Sequence, residues 1–152
     1  MTDCKSAPTP FLSGFKLKDG EETPLVDRTL YRKLVGSLLY LTHTRPDLSY
    51  AVGAVSKFMQ EPHELHWKVA KCILRYVQRT ITFEIHYAVY STLDLIGFTD
   101  SDWVGDNIDC KSTSGYSISL GFGPICWLSK KKGFISLYST KAKYRRVVNI
   151  TI

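Results

Sequence analysis

The hydrophobic period of this chain changes near residue 80, and that change restricts its fold more than any other feature. Residues 28–80 place apolar side chains every three or four positions, the spacing of helices that each bury one stripe. Beyond residue 80, apolar and polar residues alternate, as in strands with one covered face. Helices gathered first and strands after them predict an α+β fold.

Three segments follow from this pattern. Residues 1–27 contain Pro8, Pro10, Gly14, Gly20 and Pro24 without a helical period, so an extended arm or linker with one short strand is expected. Residues 28–80 predict three helices. The first aligns Leu30, Leu34, Leu38 and Leu41, with Tyr31, Val35 and Leu39 beside them. The second begins at Thr44-Arg45-Pro46-Asp47, where Thr44 can cap, Pro46 suits the first turn and Asp47 suits the positive helix end. Its apolar face is Leu48, Ala51, Val52, Val55, Phe58 and Met59. The third follows Pro62 and buries Leu65, Val69, Ile73, Tyr76 and Val77. Residues 81–152 predict strands at Phe83 to Tyr87, Asp94 to Thr99, Tyr116 to Leu120 and Ile125 to Ser129. Gly121-Phe122-Gly123-Pro124 reads as a turn, and Leu137 to Ile150 as a closing helix.

Composition narrows the function classes. A hydrophobic fraction of 44% fits a globular chain. No apolar run approaches the roughly 18 residues that span a membrane, and Met1-Thr2-Asp3-Cys4-Lys5 has no apolar core behind a basic start. Cys4, Cys72, Cys110 and Cys126 are scattered, without metal-ligand pairing or the density of a disulfide scaffold, and read as buried free thiols. The net charge of +6 is one-sided: residues 110–152 carry eight Lys or Arg and no Asp or Glu. Such a tail suits a polyanionic partner or descent from a polyanion binder; a solvated lysine surface is the equal alternative.

Four clusters bear on chemistry. Asp100 and Asp102 sit at the end of a predicted strand, on the face shared by Ile96 and Phe98. Paired carboxylates there can serve Mg²⁺, which prefers oxygen donors, or can be solvated turn residues. Lys68, Lys71, Arg75 and Arg79 recur at intervals of three, four and four, a basic stripe opposite the apolar face of the third helix. It can neutralise phosphates without reading sequence, or be an ordinary solvated face. Lys130, Lys131 and Lys132, with Lys141, Lys143, Arg145 and Arg146, form a second basic cluster. His63 and His66 lack the companions of a zinc site. Trp67, Trp103 and Trp127 could stack on bases, but packing is the stronger expectation.

The order of motifs is specific. Asp3-Cys4-Lys5, Tyr31-Arg32-Lys33-Leu34-Val35-Gly36-Ser37-Leu38-Leu39-Tyr40-Leu41, Thr44-Arg45-Pro46-Asp47-Leu48 and Lys71-Cys72-Ile73-Leu74-Arg75-Tyr76-Val77 come first. Phe98-Thr99-Asp100-Ser101-Asp102-Trp103, Lys111-Ser112-Thr113-Ser114-Gly115-Tyr116 and Ser139-Thr140-Lys141-Ala142-Lys143-Tyr144 follow. Together they resemble copia-type retrotransposon Pol polyproteins. The resemblance implies that residues 28–80 are similar to the thumb- or connection-like end of a reverse transcriptase region. Residues 81–152 are then the first part of a truncated ribonuclease H-like domain, an incomplete antiparallel sheet with one helix. The polymerase's paired-Asp motif has no counterpart.

The same resemblance places Asp100 at the first metal-ligand position, with Asp102 its companion. The family's last segment reads Ser-Thr-Glu-Ala-Glu-Tyr, and here Lys143 replaces the ligand Glu and Lys141 the Glu beside it. The expectation is a remnant without catalytic activity and without a resident cofactor, whose ancestor used Mg²⁺ to cleave RNA in RNA–DNA hybrids. The alternative is a sequence-independent nucleic-acid-binding module. Its partner would be an RNA–DNA hybrid or other nucleic acid, bound weakly, with no membrane and no small-molecule substrate. An intracellular location is expected; a secreted-effector reading, sometimes attached to similar fragments, has no signal peptide to rest on.

Overall fold

In the computed structural model, residues 5–11, 17, 23–87, 94–101 and 113–131 are described, Ser101, Lys130 and Lys131 by their backbone alone. The chain divides into two compact units, Met1–Glu84 and Ile85–Ile152. The first holds α1 (Arg28–Leu41), a 3-10 turn (Pro46–Leu48), α2 (Ser49–Ser56) and α3 (Glu64–Arg79). The second holds an antiparallel sheet of β1 (Leu95–Ser101), β2 (Thr113–Leu120) and β3 (Gly123–Lys131), in that order. The expected α+β class is the observed one. The expected closing helix lies outside the described residues, as do Cys4, Trp103 and Cys110.

Asp27 begins α1, its carboxylate accepting from the backbone N–H groups of Thr29 at 2.7 Å and Leu30 at 3.2 Å. These are donors that a first helical turn leaves open. The buried stripe is Tyr31, Val35 and Leu38, rotated from the expected leucine face; Leu30 is 52% exposed. Tyr31 accounts for the rotation. Its ring is fully buried, and its hydroxyl crosses the core to donate to the Val55 carbonyl at 2.8 Å. Burial pushes the Tyr31 hydroxyl well above the usual tyrosine range.

Leu48, Ala51, Val52 and Val55 are buried as expected. Phe58 and Met59 fall beyond the end of α2. Thr44 does not cap this helix, because the 3-10 turn intervenes; its hydroxyl donates to the Leu41 carbonyl at 3.2 Å. In α3 the fully buried residues are His66, Ala70 and Ile73, while Leu65, Val69, Tyr76 and Val77 are half-buried. His66 enters the interior because Phe58 stacks on it at 3.8 Å and its Nδ1 accepts from the His63 N–H at 3.0 Å. The arm's expected strand reduces to an isolated Leu25–His63 bridge, flanked by Val26 N–H to Pro62 O at 3.0 Å and Glu64 N–H to Pro24 O at 2.8 Å.

The sheet pairs Leu95 with Leu120 through Ser101 with Ser114, and Thr113 with Lys131 through Leu120 with Gly123. A register shift at Ile118/Ser119 interrupts the β2–β3 ladder. Phe83 to Tyr87 is not a strand. The Phe83 N–H closes the turn after α3 on the Thr80 carbonyl at 3.0 Å. Tyr87 donates to the Pro124 carbonyl at 2.8 Å. The turn between β2 and β3 is shorter than expected: Gly121, at φ 59°, and Phe122 make it, and Gly123 and Pro124 belong to β3. A Cβ at Gly123 would enter the Tyr87 ring, so only glycine lets that ring close over the strand. Neither described cysteine is buried: Cys72 is half-buried and Cys126 exposed. The contact between the Cys126 thiol and the Tyr116 hydroxyl, at 3.8 Å, is the main cause of a raised Tyr116.

Candidate nucleic-acid interface

The basic stripe stands on α3 as the sequence predicts, on the side away from His66, Ala70 and Ile73. Lys68, Lys71 and Arg79 are exposed and Arg75 is half-buried. At about 1.5 Å per residue the stripe is roughly 16 Å long. Its cations are lightly engaged. Lys68 meets Glu64 at 3.0 Å, an exposed pair contributing about 0.3–0.5 kcal/mol and easily exchanged for a phosphate. The Lys71 ammonium lies 5.1 Å from the centre of the Trp67 ring. That ring packs at the margin of the core, 6.4 Å from Tyr31, so packing is its role here.

What holds α3 in place was not visible in the sequence. Arg45 is only 7% exposed. Its Nε and Nη2 donate to the two oxygens of Asp47 at 2.9 and 2.8 Å. Its Nη1 donates to the Thr80 carbonyl at 2.9 Å, and Nη2 to the Thr80 hydroxyl at 2.7 Å. Tyr76 donates to Asp47 at 3.0 Å. The guanidinium lies 5.9 Å from the Tyr76 ring and 5.6 Å from the Phe83 ring. A planar, bidentate donor thus ties the connection before α2 to the C-terminal end of α3, where a cation also suits the helix dipole. Burial alone would raise the Asp47 carboxyl, but hydrogen bonds from Arg45 and Tyr76 outweigh it and hold it below the usual range. The Asp47 hydrogen bond raises Arg45 in turn. The signal that could have found this site is an Arg two residues before an Asp, with an aromatic and a hydroxyl one turn apart near the end of α3; periodicity does not register such pairings.

Beside the stripe, Pro10 and Phe11 of the arm lie over α3. With Leu65, Val69 and Cys72 they enclose a cavity of about 200 Å³, and Lys68 and Arg75 complete its lining.

The sheet offers less. Asp100 is exposed near the end of β1, paired with Gly115 and in strand alternation with Ile96 and Phe98. Asp102 lies outside the described residues, as do Lys132, Lys141 and Lys143. The backbones of Lys130 and Lys131 pair with Ser114 and Thr113. Among the described residues, no three His, Cys, Asp or Glu side chains converge. A pair of Mg²⁺ ions about 4 Å apart needs more carboxylates than Asp100 supplies by itself. Among these residues no helix is long and apolar enough to cross a membrane.

The chain is 44% identical over 149 residues to the retrovirus-related Pol polyprotein from transposon RE2 of Arabidopsis thaliana, covering 98% of this chain and 10% of that protein. It is 35% identical over 151 residues to the retrovirus-related Pol polyprotein from transposon TNT 1-94 of Nicotiana tabacum, covering 95% and 11%. It is 40% identical over 122 residues to secreted RxLR effector protein 161 of Plasmopara viticola, covering 80% and 86%. The chain thus spans about a tenth of the length of the Pol polyproteins that it matches. No family model and no solved structure matches it.

Proposed function

The chain belongs to the copia-type retrotransposon Pol polyproteins, and from that premise we propose that it is a non-catalytic remnant of a ribonuclease H-bearing region. The ancestral reaction is Mg²⁺-dependent cleavage of RNA in RNA–DNA hybrids. The observation that carries this reading is the pair of lysines, Lys141 and Lys143, at positions where the resembled motif has Glu. A unit charge about 4 Å from a dication interacts by roughly 8 kcal/mol at an effective dielectric near 20. Glu contributes this as attraction, and Lys reverses the sign. A lysine that swings toward water sheds part of the repulsion, so the figure is an upper bound. The loss of one ligand still leaves Asp100 short of a two-metal site.

The test is incubation of an RNA–DNA hybrid with Mg²⁺ and with wild-type, Asp100→Asn or Lys143→Glu protein. The expected result is an intact RNA strand in all three. Cleavage by the wild type that disappears in Asp100→Asn overturns the reading.

The second reading, sequence-independent nucleic-acid binding, is favoured by the exposure of Lys68, Lys71 and Arg79 on a firmly anchored α3. Each neutralised phosphate releases condensed counterions, so affinity falls steeply with salt. Lys71→Ala weakens binding equally on all sequences; no binding at about 50 mM salt, where such contacts are strong, removes this reading.

A further inference from the structure

The cavity beside α3 differs in chemistry from the open stripe. Phe11, Leu65 and Val69 give it apolar walls, and Phe11 is fixed edge-on to Tyr50 at 5.7 Å between ring centres. Two of its lining residues, Lys68 and Arg75, belong to the stripe itself. The Arg75 Nε is buried and, among the described residues, has no hydrogen-bond acceptor. A volume of about 200 Å³ lies below the roughly 300 Å³ at which pockets hold whole drug-sized ligands. One planar ring system is therefore the scale of the occupant. Apolar walls alone would suit a neutral group. The two cations, Lys68 in an exchangeable pair with Glu64 and Arg75 with its Nε in want of an acceptor, call for a negative charge attached to that ring.

A nucleotide combines these features, and α3 continues the row of cations along which its neighbours' phosphates can run. We infer that this cleft takes an unpaired base of a single-stranded nucleic acid, the base against Phe11 and its flanking phosphates on Lys68 and Arg75. The inference rests on the nucleic-acid reading of α3 and deepens it, from indifference to form toward preference for unpaired strands and frayed ends. A blunt duplex cannot use the cleft, because its bases are paired and stacked. Contact between a base and an aromatic side chain is expected to strengthen single-strand binding by about 5- to 100-fold.

The test compares a labelled oligothymidine with a blunt duplex of the same length, using the full chain and the variants Phe11→Ala, Cys72→Leu and Lys71→Ala. Cys72→Leu narrows the cleft while leaving Phe11 in place, which guards against loss of the arm. The expected result is tighter single-strand binding by the wild type, lost in Phe11→Ala and in Cys72→Leu with duplex binding unchanged, and equal weakening on both probes in Lys71→Ala. The oligothymidine should also slow alkylation of the Cys72 thiol by at least about fivefold, with exposed Cys126 as the internal control. If both probes bind equally and neither cleft variant discriminates, or if Cys72 is not protected, the cleft inference is overturned and the α3 reading survives. If neither probe binds, both fall.

Discussion

The helical unit and the sheet unit are built from similar proportions of apolar residues but are stabilised differently. In the first, nine side chains form one buried cluster from Tyr31 to Ile73, and a buried guanidinium fastens the connection before α2 to the end of α3. In the second, the only buried position among the described strand residues is Gly123; Leu95 is 68% and Phe98 61% exposed. Among the described residues, the strands are joined by their hydrogen-bond ladder, and the Tyr87 ring lies over Gly123. Burial supplies most of the free energy that offsets chain ordering, so the first unit fixes its surface, while the second leaves β1 exposed and β2 half-buried. The consequence for function is direct. The row of cations on α3 sits on a rigid support, whereas Asp100 sits on an exposed strand end.

The largest expected effect is at Arg45. Arg45→Ala removes four hydrogen bonds at once, leaving Asp47 with the Tyr76 hydroxyl and the Thr80 carbonyl with the Phe83 N–H. It is expected to destabilise the helical unit by about 3–5 kcal/mol. Arg45→Lys should recover little, since an ammonium cannot replace a planar fork shared between two partners. Chemical denaturation of the three proteins measures this, and a loss under about 1 kcal/mol in Arg45→Ala would mean that the clasp is decorative.

A paired truncation sharpens the contrast between units. Ile73→Ala opens a cavity in a closed core and is expected to cost about 2–5 kcal/mol. Phe98→Ala removes a larger side chain from an exposed strand and should cost under about 1 kcal/mol. Comparable losses would show that the sheet is as closed as the helices, and would break the comparison.

The smallest effect is acid sensitivity. The Asp47 carboxyl is held below its ordinary value, so its contribution is complete above the unfolded-state pKa. That contribution fades as pH falls below about 4 toward the folded-state value. Wild type should therefore lose thermal stability below about pH 4 more steeply than Asp47→Asn, which starts lower and has nothing there to titrate. Parallel melting curves across that range would remove Asp47 as a contributor.

Much of this architecture was legible in the sequence because period reports burial on one side of an element. The three helices, three of the four strands and the outward stripe of α3 follow from that signal alone. What was missed are polar residues that turn inward. Tyr31 rotates α1 because its hydroxyl needs the Val55 carbonyl. His66 displaces the expected leucine from the centre of α3 by accepting from His63 and stacking on Phe58. Arg45, within a motif read as a helix start, proves to be the anchor of the helix end that precedes residue 81. Tyr31 and Arg45 depend on partners 24 and 35 residues away, which no local spacing encodes. His66 depends on a polar contact three residues away that an apolar period does not register. Of the candidate site, the stripe was legible and the cleft was not, since the cleft needs Phe11 and Arg75 brought together across more than sixty residues.

Hydrogen exchange of backbone amides, followed peptide by peptide in the intact chain, puts the difference between the two units to the most direct test. Amides of α1 and α3 should exchange about a hundredfold more slowly than those of β1 and β3, because their opening requires the buried cluster to come apart. Equal protection in the strands and the helices would contradict the account, and would mean that the face carrying Asp100 is held as firmly as the face carrying Lys71.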